Sequence, residues 1–540
     1  MQKNIWFIDF CQGKHVKKIF KNTVVVSTLT FGSRILGLVR DSLIAMYFGT
    51  SFQTDAFFIA FRPFELMRKL FAEGILGLSF VPIFSETLEK DGHSKALSIV
   101  FSMFCILCTA GIVIVLAGIF LAPLIIRLIA PGFEHIPYKA GLTIVLFKLM
   151  LPYFWLILMT AICMGVLNSF DNFAVPALAP VMFNLAVITA AIIVPRYFKV
   201  PVIGLAMGVT LGGVLQLVIH IPLMVHFRML PGSFSQFFNN IMPARSKVMR
   251  ILKTMFPCMI GAASYQINIT AASFFASRLE EGSVSFIYYA ERLVQFPLAL
   301  FTVSVATVFL PDLSRKAAMG RMDEIGQLFS NGARLVFFVT IPAMAGLMAL
   351  DTQVITLLFG RGVFDPESVR RTAACLFFLV TGLWAFTGVR LFVTLYYALS
   401  QIKIPFYSGM ISIGLNLVLC SVLIEPFGLK GLVISVCLSS VAGFAVLFMN
   451  IPGIVKLNKR KIVVSACRSL FLSGIMFVLV RFAGSYMAGL VKPHTGWYAA
   501  CTAGLICFGV VFYFTANLII SSPELAILKQ GITGMTNEQN

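Results

Sequence analysis

The stretch TDAFFIAFRPFELMRKLFAEGILGLSFVP, Thr54–Pro82, is long and apolar enough to cross a bilayer, yet it carries Asp55, Arg62, Glu65, Arg68, Lys69 and Glu73. A charge at the centre of a membrane helix costs at least about 2.5–3.5 kcal/mol on insertion scales, so a helix that keeps several turns them toward one another or toward a water-filled cavity. At about 100° per residue, Asp55, Arg62, Glu65, Lys69 and Glu73 form an i, i+3, i+4 ladder near one face, with Arg68 one step off. Two readings follow. The charges pair internally and brace a bundle, or the face lines a path for a charged substrate. The preceding apolar segment, Val26–Gly49, favours the path. It is interrupted by Ser33, Arg34, Arg40 and Asp41. Arg40 and Asp41 can neutralise each other, whereas Arg34 has no acid close in sequence, so its partner is distant or is the ligand.

Composition sets the class. Of 540 residues 59% are hydrophobic and only 12% charged, against about 25% charged in soluble domains. With mean hydropathy +0.93, the chain reads as an all-α polytopic membrane protein. The net charge of +20 is no nucleic-acid signature: much of it falls in short loops, where Lys and Arg set topology and meet anionic lipid. The rest lies inside the bundle, where excess positive charge suits an anionic ligand. The eleven cysteines are scattered through apolar segments. Cys105 and Cys108 form a CxxC within one of them and read as packing. The six histidines show no metal-ligand spacing, and no cofactor motif is present.

At about 20 apolar residues per span, the chain divides into about fourteen predicted helices. They lie at 22–48, 54–83, 95–120, 138–167, 175–195, 202–226, 248–277, 284–310, 327–350, 370–399, 405–424, 431–451, 463–486 and 497–520. Residues 1–21 read as a basic cytoplasmic segment, 22–226 as a first lobe, 227–247 as a cytoplasmic linker, 248–451 as a second lobe, 452–520 as two further helices and 521–540 as a cytoplasmic tail. Lys and Arg concentrate at Lys14–Lys21, Lys90–Lys95, Arg245–Lys253, Arg315–Arg321 and Lys456–Lys461, which places both termini inside. Two outer segments, Ala122–Phe133 and Gln353–Phe364, are too short to span and read as interfacial.

A parallel repeat links the halves. FFIAFR, ending at Arg62, followed by FVPIFSE, is echoed by FIYYAER, ending at Arg292, followed by FLPDLSR. Pro82 corresponds to Pro311 and Ser85 to Ser314. The repeat axis runs along the membrane normal, as between the halves of many transporters. In the second half Glu291 and Arg292 are adjacent and point about 100° apart on a helix, so Arg292 is expected to aim at the lumen with Arg34, Arg62 and Arg68; Arg390 is a further candidate. Arg stays charged and its planar fork grips phosphate oxygens in pairs. Asp41, Asp55, Glu73 and Glu291 would hold the fan of arginines in place. No HExxH, P-loop, nucleophile elbow or dinucleotide fingerprint is found.

These residues lie in motifs that resemble the MurJ/MviN family. They are GSRILGLVRD (Gly32–Asp41), TDAFFIAFR and LMRKLFAEG (Thr54–Gly74), FVPIFSE (Phe80–Glu86), NSFDNFAVPALAPVMFN (Asn168–Asn184), GGVLQLV (Gly212–Val218), SYQIN (Ser264–Asn268), GSVSFIYYAERLVQFP (Gly282–Pro297), FLPDLS (Phe309–Ser314) and YYALSQIKIP (Tyr396–Pro405). The resemblance spans about residues 22–520. It implies a lipid II flippase of the bacterial inner membrane, within the multidrug, oligosaccharidyl-lipid and polysaccharide exporter superfamily. It implies two six-helix lobes around a cationic V-shaped cavity, plus two C-terminal helices forming a groove for the lipid tail. The family's important positions match Ser33, Arg34, Arg40, Asp41, Asp55, Arg68, Ser285 and Arg292. The implied partners are lipid II, membrane lipids and cell wall synthesis or division proteins. Competing readings are export of another lipid-linked oligosaccharide or an amphipathic drug, and an enzyme acting on polyprenyl phosphate. Drug exporters of this fold favour acidic cavities, and the enzyme lacks a placed acid, base or nucleophile. Some members carry Glu three positions after the lumen arginine, where this chain has Gln295. Members with a sodium site carry Asp where this chain has Ala272, and an Asn–Asp pair where it has Asn416 and Cys420. Sodium binding there is not expected, because a hard cation needs oxygen ligands.

Overall fold

The computed structural model describes residues 14–71, 76–230, 245–451, 453, 455–491, 493 and 495–528. Its helices are α1 (Lys14–Phe48), α2 (Phe52–Leu70), α3 (Leu76–Asp91), α4 (His93–Ile129), α5 (Pro137–Ser169), α6 (Ala174–Ile193), α7 (Ile203–Val218), α8 (Ile221–His226), α9 (Arg245–Ala276), α10 (Ser283–Ala318), α11 (Met322–Ala349), α12 (Asp351–Leu358), α13 (Pro366–Val380), α14 (Leu383–Ala398), α15 (Lys403–Met449), α16 (Lys459–Leu490) and α17 (Gly496–Ile519). Every predicted span falls on a helix, or on two helices in succession. Among the described residues eight helices are long and apolar enough to cross a bilayer, and the pair α13–α14, bent by 45°, makes a ninth. The charged helices α1, α2 and α10 fall outside that set.

Several boundaries differ from expectation. The basic segment is not separate from the first span: α1 begins at Lys14, because Lys14–Phe20 is itself a helix-compatible run. Ala122–Ile129 is not a separate piece but the continuation of α4, whose 37 residues run unbroken through Pro123; the break comes at Pro131, where a short 3-10 turn starts. The expected spans 405–424 and 431–451, by contrast, lie on the two arms of α15, which is broken at Gly428 with φ +53°, a conformation that glycine adopts without strain. Gln353–Phe364 likewise begins as the short helix α12.

By contacts the chain divides into two compact units. The first comprises 1–44, 59–128 and 136–256, the second 45–58, 129–135 and 257–540. The first is built on close helix approach. On α7, Gly204, Gly208 and Gly212 recur every four residues. A Cβ on each would stand 2.6 Å from Val194, 2.6 Å from Ala190 and 2.8 Å from Phe183. Lipid tails are as apolar as leucine, so such backbone contact, not water exclusion, holds membrane helices together. Ile112, Val113, Leu116 and Phe120 of α4 remain exposed, as lipid-facing side chains are.

In the second unit α11, α16 and α17 pack through Phe338, Ala345, Leu472, Met476, Val480 and Tyr513. Here the expected tail is partly built in. Glu524 is fully buried. It accepts hydrogen bonds from Arg334 Nε and Nη2 of α11 at 2.9 and 2.7 Å and from Arg468 of α16.

Candidate functional site

In the first unit, α1 and α2 bring two arginines to one ring. Arg40, although next to Asp41, folds its long side chain back. Its Nε and Nη2 donate to Asp41 Oδ1 at 2.9 and 2.8 Å. Its Nη1 donates to Asn184 Oδ1 of α6 at 3.0 Å. The amide of Asn184 in turn donates to the Ser33 carbonyl at 2.9 Å. The guanidiniums of Arg40 and Arg68 each lie 5.9 Å from the centroid of Phe183, within range of a cation–π attraction. Arg34 and Arg68 are both partly buried.

The ladder on α2 is divided. Arg62 was expected to line the path with the other arginines, but it is fully buried. Glu65, one turn on, accepts from it at 3.4 Å and also pairs with Lys69 at 3.5 Å. The i, i+3 and i, i+4 spacing lets Glu65 join both cations along α2. Glu73 lies outside the described residues.

In the second unit, Asp55 caps α10. Its Oδ2 accepts from the Gly282 N–H at 2.8 Å, and its Oδ1 from the Ser285 N–H and Oγ at 3.0 and 2.7 Å. A carboxylate at a helix N-terminus satisfies orphan donors and complements the helix dipole. Gly282 has φ +87°, and a Cβ there would stand 2.9 Å from the Thr50 carbonyl, so only glycine fits. The same stretch is held again by Phe52 N–H to Glu281 at 2.6 Å and by Tyr289 Oη to the Gly49 carbonyl at 3.2 Å.

Two turns into α10, Arg292 is partly buried. Its Nη2 donates to Tyr288 Oη at 2.7 Å and its Nη1 lies 3.4 Å from Gln295 Oε1. Its guanidinium carbon is 4.4 Å from the Tyr288 ring centroid. Gln295 also donates to the buried Glu291, so the acid reaches Arg292 through a neutral amide. Arg390 is partly buried on α14. A cavity of about 470 Å³ near Thr50 is bordered by Glu280, Glu281, Asp365 and Glu367, the wrong sign for an anionic ligand.

Comparison with known proteins bears on this arrangement. The family profile described as Lipid II flippase MurJ matches residues 44–495. The chain belongs to the MurJ family. A probable lipid II flippase MurJ of Buchnera aphidicola subsp. Acyrthosiphon pisum is 34% identical over 519 residues, covering 93% of this chain and 97% of that relative. One of Vibrio cholerae serotype O1 is 30% identical over 522 residues, covering 93% and 96%. A solved structure described as lipid II flippase MurJ, inward closed conformation, superposes with TM-score 0.75 at 23% identity, covering 92% of this chain and 98% of that one; this likeness speaks to the fold.

Within this MurJ-family chain, the place where sodium-binding members would hold the ion can be tested on its residues. Asn416 Nδ2 donates to the Asn268 carbonyl at 3.0 Å, and Asn268 Nδ2 to Ser412 Oγ and Ser439 Oγ at 2.8 and 3.2 Å. Cys420 Sγ sits 3.7 Å from Asn416 Oδ1, and Ala272 is fully buried. The named side chains are amides, hydroxyls, a thiol and a methyl. They bond largely to one another, though Asn268 Oδ1 is left without a partner; the set offers neutral oxygens only, and Ala272 and Cys420 supply none. Reading the sequence for charge overlooked Asn184, Phe183, Tyr288 and Phe58. Asn184 had a signal, as a lone amide inside an apolar run. The aromatic residues had none, since 13% of the chain is aromatic.

Proposed function

We propose that the protein is a lipid II flippase. It moves the undecaprenyl-pyrophosphate-linked peptidoglycan precursor from the inner to the outer leaflet of the bacterial cytoplasmic membrane by alternating access. Both termini face the cytoplasm, the lobes at 22–226 and 248–451 carry the exchange, and the two C-terminal helices take the lipid tail. Arg34, Arg68 and Arg292 bind the diphosphate, supported by Ser33, Arg40, Asp41, Asp55 and Ser285, with Arg390 as an auxiliary cation. The observation that carries this reading, beside family membership, is Arg292. Its fork is directed by Tyr288 Oη and Gln295 Oε1, and a planar guanidinium, always charged, matches the oxygens of a diphosphate. Membrane potential is the driver that fits. A cationic site exchanging exposure moves charge through the field, worth about 2.3 kcal/mol per charge per 100 mV. The decisive experiment depletes the protein and assays the leaflet of lipid II with a membrane-impermeant probe. Lipid II retained on the cytoplasmic leaflet, with its total amount undiminished, is the expected result; normal exposure at the outer surface would overturn the proposal.

A further inference from the structure

Arg292 does not set its own direction. A free arginine side chain has four soft torsions, and one aimed at a ligand before the ligand arrives loses less on binding. Tyr288 fixes it twice, through the hydroxyl at 2.7 Å and through the ring face at 4.4 Å. Tyr288 is itself buried, at 1% exposure. Its other constraint is Phe58 of α2, whose ring stacks on it with centroids 3.7 Å apart and planes 17° apart. Phe58 also meets Tyr289 edge-on at 5.5 Å. Three residues before Phe58 stands Asp55, whose carboxylate accepts from Gly282 and Ser285 at the start of α10. The stack and the cap therefore join the same short stretch of α2 to the same two turns of α10.

We infer that Tyr288 is the positioning residue for Arg292, and that Phe58 sets Tyr288, so that the guanidinium is aimed at a diphosphate only while the Asp55–Phe58 stretch is docked on α10. This rests on the reading that Arg292 meets the substrate's diphosphate. Phe58 does this without touching the ligand: releasing the stretch frees one face of Tyr288, and with it the ring and hydroxyl that hold the fork. Substrate grip on this unit is thereby tied to closure of its own α2–α10 contact.

The test uses the purified full chain in nanodiscs, with a polyprenyl diphosphate and the matching monophosphate as probes. Wild type is expected to prefer the diphosphate. Tyr288→Phe keeps the ring and loses the hydroxyl, and should weaken diphosphate binding by about three- to tenfold. Phe58→Leu should lower diphosphate binding on the order of threefold while Tyr288 and Arg292 remain. In both, monophosphate affinity and melting temperature should stay near wild type, which general loosening of the fold would not allow. Arg292→Ala is the control arm. If it binds diphosphate as wild type does, the substrate reading itself fails. If it loses binding while Tyr288→Phe and Phe58→Leu both retain the wild-type diphosphate preference, the positioning role is wrong.

Discussion

The two arginine cradles, one in each unit, solve different problems. Arg40 is 7% exposed and sits against its own neutralising carboxylate, Asp41, with Asn184 completing the cradle. Arg292 is held by a phenol and an amide, and Gln295 bonds in turn to the neighbouring Glu291. The aromatic partners differ likewise: Phe183 offers Arg40 and Arg68 a ring face alone, whereas Tyr288 offers Arg292 a face and an acceptor. The first cradle ties α1 to α6 through Asn184; the second directs a fork along α10 through Tyr288 and Gln295.

The largest expected effect on transport itself falls on Arg292. Arg292→Lys should fail almost as badly as Arg292→Ala in rescuing a flippase-depleted cell at matched protein abundance. Lysine supplies charge but no planar fork, and the charge-assisted bond lost is worth about 1.5–3 kcal/mol, tenfold or more in capture. Full rescue by lysine would reduce the second cradle to bulk charge and erase its contrast with the first. Next comes Asp41→Ala, which strands Arg40 in a buried site. Breaking a buried pair costs about 3–5 kcal/mol, so folded protein and melting temperature should drop sharply, and Arg40→Met with Asp41→Ala should recover much of the loss. If the single variant is fully stable but inactive, Arg40 belongs with Arg292 and not with the braces. The smallest effect concerns Asn416→Ala, which removes a hydrogen bond worth about 1 kcal/mol. Flipping should show no saturable sodium dependence before or after it. A sodium optimum abolished by this change would show that the Asn268–Asn416 cluster binds the ion after all.

The charges were legible because they are expensive. An ionised side chain inside a span announces itself against an apolar background, which is how Arg34, Arg40, Asp55 and Arg292 came forward from sequence alone. Arg62 came forward by the same rule and is fully buried against Glu65, since spacing alone does not say how the charges of a ladder are shared. The helices were legible for the same solvation reason, the bilayer demanding about 20 apolar residues each. Their ends were not always: Pro123 sits inside α4, where neighbouring helices tolerate a breaker that would stop a helix in water. The aromatic links, Phe58 on Tyr288 and Phe183 between two arginines, depend on which helix faces which, and no local pattern encodes that.

The junction at Glu524 also bears on how the chain is made. Glu524 follows Arg334 by 190 residues and Arg468 by 56, so during synthesis both arginines enter the membrane long before their shared carboxylate leaves the ribosome. Until α17 has been inserted and the chain behind it turns back, two guanidiniums await a counter-charge. Emergence of Glu524 is thus also the step that gives the α11–α16 seam its shared counter-charge. A reporter fused just after Ile519 would trap the protein in that unfinished state, whereas one attached beyond residue 528 would leave the junction free to close.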